Sequence, residues 1–181
     1  MIIENKKPDD IFNRLEKEQA VYSLLEELNI VFIRADHPAA MTMEICSQIS
    51  DELSADICKN LFLCNRQQTE FFLLLTPGEK RFKTKNLSSQ IGSARLSFAS
   101  EEKMKEYLNL TPGSASVFGL MFDTEKKVQL IIDQDVLDKE YVGFHPNINT
   151  SSVKIKTKDL TEKILPHLNR KFKTVILPPE E

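Results

Sequence analysis

The sequence has few of the residues that build disulfide frameworks or membrane spans. Its three cysteines are Cys46, Cys58 and Cys64. An odd number without a C-x-x-C pair argues against a disulfide framework or a zinc site, and we expect reduced, mostly buried thiols. No apolar run approaches the ~20 residues that a membrane helix needs. Because no signal-peptide pattern follows Met1 either, we expect a cytoplasmic protein with no membrane partner.

The sequence also lacks an excess of positive charge. Its 24 basic and 27 acidic residues give a net charge of −3, which excludes a globally basic nucleic-acid-binding protein but not a local basic patch. Two segments are locally basic, one from Lys80 to Lys85 and one from Lys154 to Lys173. A solvated charged face is the ordinary explanation of such segments, and contact with nucleic-acid phosphates is the alternative.

The usual catalytic templates are missing as well. The sequence has no G-x-S-x-G elbow, no H-E-x-x-H motif, no aspartate pair at a diagnostic spacing and no cysteine with a local nucleophile signature. The three histidines, His37, His145 and His167, are scattered. We therefore expect neither a metal nor a cofactor, and the remaining motifs predict a pocket without a conventional nucleophile.

Hydrophobic periodicity and turn residues predict alternating helices and strands. Helices are predicted over residues 9–29, from a Thr42 cap through Ile49, and over 86–91, 100–108 and 158–168, the last disturbed near its end by Pro166. Strands are predicted over residues 30–33, 57–64, 70–75, 118–122, 128–132, 141–144 and 153–155. Short turns pair 57–64 with 70–75, and 118–122 with 128–132, as antiparallel hairpins. This pattern predicts one α+β domain over residues 1–181, with a mixed, largely antiparallel sheet flanked by helices.

Lys59 lies within an otherwise apolar strand, Cys58-Lys59-Asn60-Leu61-Phe62-Leu63. Alternate strand residues share a face, so Lys59 lies with Leu61 and Leu63 on the most apolar side. Burial would lower the pKa of this lysine, and a nearby negative charge would restore it. Such a side chain suits contact with an ester carbonyl, a ribose hydroxyl or a phosphate. The alternative is a lysine whose stem reaches past the strand end to water.

Two further segments combine small or polar residues at close spacing. Between Gly113 and Gly119, small side chains would let a ligand approach the backbone, whose N–H groups can stabilise an oxyanion. The second segment, His145-Pro146 with Asn149-Thr150, places an imidazole, an amide and a hydroxyl in one rigid turn, and His37-Pro38 with Thr42 is a weaker polar cluster. An ordinary turn and structural hydrogen bonding by histidine explain these features equally well.

Together, these motifs resemble the YbaK/prolyl-tRNA synthetase-associated domain family, closest to its freestanding branch called ProX, PrdX or ProXp-ala. The resemblance covers about residues 15 to 170, and the order and spacing of the motifs carry it. The matching segments are His37-Pro38 with Thr42, Lys59 to Leu63, Gly113 to Ser116 with Phe118-Gly119, and Gly143 to Pro146 with Asn149-Thr150. Val117 stands where the family's Gly-x-x-x-Pro loop usually has proline, which predicts a looser loop.

The resemblance implies an α+β trans-editing deacylase that hydrolyses aminoacyl-tRNA, chiefly alanine attached to proline tRNA. It implies no cofactor and no DNA partner, with prolyl-tRNA synthetase as a further candidate partner. The catalytic residues implied are Lys59, Gly113, Ser114 and His145. The substrate-binding residues implied are His37, Thr42, Asn60, Ser116, Phe118, Gly119, Pro146, Asn149 and Thr150. The RNA-binding residues that we predict are Lys80, Arg81, Lys83 and Lys85.

Two alternatives to this enzyme remain open on the sequence. The runner-up is a non-catalytic module that binds or senses aminoacyl-tRNA, which the departure at Val117 favours. The third is a hydrolase of small esters or amides, which the missing nucleophile templates disfavour. Release of the amino acid from charged tRNA separates the enzyme from the module, and activity on small esters without RNA identifies the third.

Overall fold

The computed structural model describes residues 1–40 and 43–179. Ten strands form in this part of the chain. They are β1 (Ile2–Glu4), β2 (Ile33–Asp36), β3 (Asp56–Ile57), β4 (Lys59–Asn65), β5 (Phe71–Thr76), β6 (Leu96–Phe98), β7 (Val128–Asp133), β8 (Tyr141–Phe144), β9 (Ser151–Lys156) and β10 (Phe172–Val175).

The described strands divide between two sheets, which we call sheet A and sheet B. Sheet A has the order β1-β2-β9-β8-β3, and sheet B has the order β10-β7-β5-β4-β6. Most neighbours are antiparallel, and the parallel pairs are β3 with β8, β5 with β7 and β7 with β10. The predicted α+β class with a mixed, largely antiparallel arrangement is therefore confirmed, and it is built as two sheets.

The helices flank these sheets. They are α1 (Glu16–Glu27), α2 (Met43–Leu53), α3 (Thr84–Ile91), α4 (Glu101–Leu108), α5 (Gln134–Leu137), and the 3-10 helices Ile11–Asn13 and Val117–Met121. A C-terminal helix consists of an α segment Thr157–Asp159, a π segment Leu160–Ile164 and an α segment Leu165–His167. Pro166 is the second residue after the π segment, which fits the predicted disturbance because proline has no N–H for the α-helical ladder. Each helix in the described ranges is too short or too polar to cross a bilayer.

The helix predictions for α1 and for α4 had different outcomes. The helix predicted from Asp9 begins only at Glu16, because Arg14 has an extended backbone and its guanidinium bonds Asp36 on β2 at 2.8 Å. At α4 the prediction is confirmed, since the Lys103 N–H donates to the Ser100 hydroxyl at 3.2 Å as an N-cap.

The predicted hairpin between residues 118–122 and 128–132 is wrong. Its first half is the 3-10 helix Val117–Met121, which is buried from Val117 to Leu120, and β7 pairs instead with β5 and β10. Periodicity cannot separate a fully buried helical turn from a buried strand when the apolar run is this short. Gly119 permits close packing at this turn, because a Cβ there would lie 2.6 Å from Leu110 Cδ1 and 3.2 Å from the Leu108 carbonyl oxygen.

The largest core lies between the two sheets. Alternate residues of β5 and β7 face it, and Tyr22 and Leu25 of α1 complete it. The opposite face of sheet B packs on Leu87 of α3, and sheet A packs on Ile49 of α2. Because both faces of sheet B are covered, β5 is a continuous buried apolar run.

The chain passes from sheet A to sheet B at Cys58. This residue follows β3 and precedes β4, and its N–H donates to the Gly143 carbonyl of β8 at 3.0 Å. The loop after β5 lies tightly over the junction, because the Gly78 N–H donates to Asp56 Oδ1 at 3.2 Å. A Cβ on Gly78 would lie 2.5 Å from the Ile57 carbonyl oxygen, so glycine is required for this close approach.

Candidate active site

A cavity of about 950 Å³ opens at the junction between the two sheets. One wall is α2, and the opposite wall is the passage from β3 to β4. The loop after β5, the start of α4 and the loop before the second 3-10 helix complete it. The predicted site residues that line it are Lys59, Asn60, Gly113 and His145.

Lys59 is half-buried at the edge of this cavity. Its Nζ donates to the backbone carbonyl of Lys80 at 3.2 Å, which holds the ammonium group beside the loop after β5. Burial lowers the pKa of Lys59, and the positive charge of nearby Arg81 lowers it further. The site thus contains a partly desolvated cation with donor capacity left for a ligand.

Asn60 presents an acceptor that the protein leaves unused. Its Nδ2 donates to the Cys58 carbonyl at 2.9 Å, whereas its buried Oδ1 has no hydrogen-bond partner among the described residues. A buried acceptor without a partner costs about 1–3 kcal/mol. A donor on a bound ligand would remove that cost.

The loop at Gly113 is a type II turn. Its Ser114 N–H donates to the Thr111 carbonyl at 3.0 Å, with Pro112 and Gly113 at the central positions, and Gly113 has a φ of 83°. In the described part of the chain, the N–H groups of Gly113 and Ala115 donate to no other group. Both residues line the cavity, so two backbone donors are available there for a developing negative charge.

His145 is the end of a hydrogen-bonded chain that starts at His37. The His37 Nδ1–H donates to the Pro38 carbonyl at 2.8 Å, so in a neutral ring Nε2 accepts from the Ser152 hydroxyl at 2.9 Å. With its only hydrogen used, Ser152 Oγ accepts from the His145 Nδ1–H at 3.1 Å. That same N–H also donates to the Ser151 carbonyl at 2.9 Å.

This chain fixes the tautomer of His145. Burial lowers the pKa of both histidines, and the neighbouring His37 lowers that of His145 further, so the rings are neutral near pH 7. The ring centroids are 5.9 Å apart. Since Nδ1 carries the hydrogen, Nε2 of His145 keeps its lone pair as an acceptor or base in a residue that lines the cavity.

Several cavity residues were not predicted from the sequence. Asp56 accepts from the Gly78 N–H and pairs with Lys139 at 2.8 Å, and Phe98 and Met104 line the cavity from the side of α4. Asp56 on β3 lies far in sequence from Phe98 and Met104, which come from β6 and the helix α4 that follows it. No short motif marks them, because long-range strand pairing brings them together.

Two cysteines also line the cavity, and neither is suited to be a nucleophile. Cys46 lies on α2 and Cys58 at the junction of the sheets. Burial raises the pKa of both thiols above their ordinary value. Both side chains therefore stay protonated near neutral pH. Because the thiolate is the reactive form, neither thiol is activated for attack.

Other predicted site residues lie outside this cavity. The hydroxyl of Ser114 donates to the Thr111 carbonyl at 2.8 Å, and that of Ser116 accepts from the Phe118 N–H at 3.3 Å, so both stabilise the loop itself. The Phe118 ring is buried against Phe144 at a centroid distance of 6.1 Å. These side chains and the backbone of Gly119 therefore support the loop on the side away from the cavity.

The remaining polar residues form the support of the His145 turn. The Ala40 N–H donates to the Asn149 carbonyl at 2.8 Å, and the His37 N–H donates to the Thr150 carbonyl at 3.0 Å. Pro146 is buried in this turn. The two polar clusters of the sequence are thus joined, although Thr42 itself lies outside the described residues. Asn149 and Thr150 line a separate cavity of about 560 Å³.

The predicted basic patch divides into one buried and three exposed side chains. Lys80 Nζ lies 2.7 Å from Asp133, whose side chain is fully buried, and 2.8 Å from Asp135, so it is held within the fold. Arg81, Lys83 and Lys85 are exposed. In the second basic segment, Arg170 is likewise buried, paired with Asp123 at 3.1 Å.

Comparison with known proteins shows which family this chain belongs to. The model of the aminoacyl-tRNA editing domain matches residues 37–163. The chain belongs to the aminoacyl-tRNA editing domain family. It is similar to the prolyl-tRNA editing protein ProX of Acetoanaerobium sticklandii, with 34% identity over 163 residues, which cover 90% of this chain and 99% of the relative. The expected family and the expected aminoacyl-tRNA hydrolase are thereby confirmed.

More distant relatives share the same region. The prolyl-tRNA synthetase associated domain-containing protein 1 of Mus musculus is 28% identical over 150 residues, covering 81% of this chain and 86% of the relative. A crystal structure described as a candidate trans-editing enzyme for prolyl tRNA synthetase superposes with a TM-score of 0.67 at 17% identity. It covers 93% of this chain and 99% of that chain, and at this identity it shows the fold alone.

Proposed function

We propose that this editing domain is a trans-editing deacylase that hydrolyses alanine wrongly attached to proline tRNA. The observation that carries the proposal is the cavity that brings Lys59, Asn60, Gly113 and His145 together, and in which burial keeps both cysteine thiols protonated. Similarity to a prolyl-tRNA editing protein over nearly the whole chain supports the tRNA identity.

An ester linkage to ribose is already activated, so water is a sufficient nucleophile. In this proposal, Lys59 and the N–H groups of Gly113 and Ala115 donate to the ester carbonyl oxygen and stabilise the charge that develops on it; their place in the cavity lining supports this role. The free Oδ1 of Asn60 accepts a hydrogen bond from the substrate and orients it.

His145 is the proton acceptor of this mechanism. Its Nε2 takes a proton from the attacking water as the water oxygen bonds to the ester carbon. The Nδ1–H, held by Ser151 and Ser152, keeps the ring in the required tautomer. When the tetrahedral intermediate collapses, the C–O bond to ribose breaks and the leaving ribose oxygen receives the proton.

Size explains why alanine is removed and proline retained. A synthetase pocket built for proline rejects the smaller alanine poorly, since a missing methylene or two is worth only about 1–3 kcal/mol. A second cavity that admits alanine and excludes the larger ring corrects the error.

The proposal extends to partners and location. We place one editing domain over residues 1–181 in the cytoplasm, acting on proline tRNA alone or beside prolyl-tRNA synthetase. The exposed Arg81, Lys83 and Lys85 are the acceptor-stem contacts, beside the loop that carries the Lys59 partner. The buried pair of Lys80 with Asp133 leaves Lys80 out of this surface.

The test is deacylation of proline tRNA charged with labelled alanine, cysteine, serine or proline. We expect rapid loss of alanine with proline retained, and a loss of rate of about 100-fold or more in Lys59→Ala, the size found when one donor to a developing oxyanion is removed. Lys105→Ala is the matched control, because Lys105 is exposed on α4. A Lys59→Ala protein as fast as the wild type would remove Lys59 from the mechanism, and no release from any charged tRNA would contradict the proposal.

A further inference from the structure

The strand β4 is covered along one edge and open along part of the other. Its inner edge pairs with β5 from Lys59 to Cys64. Its outer edge pairs with β6 only from Leu63 onward, and the last bond runs from the Ala99 N–H to the Phe62 carbonyl at 2.9 Å. At the other end, the Cys58 N–H is taken by the Gly143 carbonyl of sheet A. Between these two bonds no described strand covers the outer edge, and the Cys58 carbonyl there accepts from the Asn60 side chain.

Strand geometry identifies the backbone groups in this gap. Residues two apart direct their N–H and C=O groups to the same edge of an antiparallel strand. The Phe62 carbonyl faces the outer edge, so the Asn60 carbonyl and the Phe62 N–H face it too. Among the described residues, the Ala99 N–H donates to the Phe62 carbonyl, but the Ala99 carbonyl accepts no hydrogen bond from the Phe62 N–H. The gap spans roughly 13 Å from Cys58 to Phe62, at about 3.3 Å per residue.

An exposed aromatic ring stands at one end of the same gap. Phe98 is the last residue of β6, lies opposite Leu63 and lines the cavity, yet it is 73% exposed. Because directly opposite residues project to the same face, its ring lies on the side of the sheet that carries Leu61 and Lys59. A large exposed aromatic side chain in a cavity wall is suited to stacking on a planar ligand.

We infer that the gap along β4 binds the terminal adenine of the aminoacyl-tRNA, stacked on Phe98. This inference rests on the proposed function, because the substrate of an editing deacylase ends in an adenosine that carries the ester. The adenine amino group at N6 donates to the Asn60 carbonyl, and N1 accepts from the Phe62 N–H. The base thereby fills the place of the missing strand segment, and the ribose extends toward Lys59.

This arrangement also selects among bases. Guanine presents an oxygen where adenine has its amino group and an N–H where adenine has N1, so both contacts with the backbone edge would be repulsive. Stacking alone would accept every base. The backbone edge and the ring thus have separable effects, one on base identity and one on affinity.

The first experiment replaces the ring. We expect Phe98→Ala to lower kcat/KM for alanyl-tRNA by about 10- to 100-fold, mainly through KM, since stacking of one base on an aromatic side chain has effects of this size. Phe98→Tyr keeps the stacking surface and should stay within about threefold. Phe12→Ala is the matched control, because Phe12 is 88% exposed and lies outside the cavity. Equal kcat/KM in Phe98→Ala and wild type would overturn the inference.

The second experiment changes the base. Proline tRNA ending in guanosine should be deacylated at least about 10-fold more slowly by both wild type and Phe98→Ala, since the backbone edge remains in both. Equal rates on adenosine-ended and guanosine-ended tRNA would contradict hydrogen bonding of the adenine to the backbone edge of β4.

A binding measurement separates this inference from the proposed function. Calorimetry with 3′-alanylamino-3′-deoxyadenosine, whose amide resists hydrolysis, needs no turnover. If the wild type binds this probe and Phe98→Ala binds at least about 10-fold more weakly, the adenine site stands even where tRNA deacylation fails. Equal binding of the probe by wild type and Phe98→Ala would overturn the inference. A dimer, detected by sedimentation, whose contact buries β4 and that the probe does not affect would also overturn it.

Discussion

Replacing Lys80 with methionine separates a structural role of this side chain from a role in RNA binding. The ammonium group lies 2.7 Å from the fully buried Asp133 and 2.8 Å from the exposed Asp135, and only 6% of the Lys80 side chain is exposed. Its backbone carbonyl accepts from Lys59. Lys80→Met keeps the aliphatic stem and removes the charge, so packing is largely preserved.

The expected loss follows from what Asp133 would keep. Without Lys80, the partners that the buried carboxylate keeps among the described residues are the Thr76 hydroxyl at 3.2 Å and the Asp135 N–H at 3.4 Å. Removing one partner of a buried pair costs about 3–5 kcal/mol, while the exposed Asp135 adds no more than about 1 kcal/mol. For a chain of this size each kcal/mol lowers Tm by about 2–4 °C, so we expect a fall of about 6–20 °C.

Thermal unfolding and RNA binding, measured on the same proteins, test this reasoning. Lys80→Met should lower Tm and leave the Kd for tRNA unchanged. The control Lys83→Met, at an exposed position, should leave Tm unchanged and weaken tRNA binding. The double variant Lys80→Met with Asp133→Asn should recover part of the loss, because no unpaired charge remains. An unchanged Tm combined with weaker RNA binding and a smaller salt dependence would refute the buried-pair account.

Other predictions concern the chemistry and the loop. Ser152→Ala removes the link between His37 and His145, so we expect kcat to fall about 10-fold with little change in KM, measured by single-turnover deacylation; equal kcat would contradict it. Because burial lowers the pKa of His145, the rate corrected for spontaneous hydrolysis should stay level near pH 7 and fall only below the ordinary histidine pKa of 6.5, as protonation removes the lone pair; a fall centred above 6.5 would argue against this base. Val117→Pro, at the first position of a 3-10 helix, should raise the free energy of unfolding by about 0.4–1 kcal/mol in denaturant titrations, because proline restricts the unfolded chain; an unchanged or lowered free energy of unfolding would contradict this.

Local signals predicted the parts of the fold that short-range physics determines. The β4–β5 hairpin, the Ser100 cap and the turn at Gly113 each depend on neighbouring residues, and the structure contains all three. The parallel pairing of β7 has no such signal, since its partners lie far away in sequence. The sequence does not predict β10 either, because this strand is only four residues long and contains a lysine, a residue that is depleted in strands.

The candidate site shows the same division. Lys59 and Gly113 were found because a lysine in an apolar strand and a glycine between small residues are unusual locally. Phe98 and Asp56 carry no such mark and enter the cavity only through the pairing of distant strands. For Lys80, the sequence showed the charge but not the buried carboxylate that binds it.

The passage of the chain through Cys58 has a consequence for how this protein becomes active during folding. The β4–β5 hairpin joins residues close in sequence, and such contacts form early. The bond from Cys58 to Gly143 closes a much longer loop, and the loop-closure entropy must be overcome before the two sheets meet. Because the cavity exists only once both sheets flank Cys58, hydrolytic competence should arise in the last folding step, so activity recovered during refolding reports the completed native state.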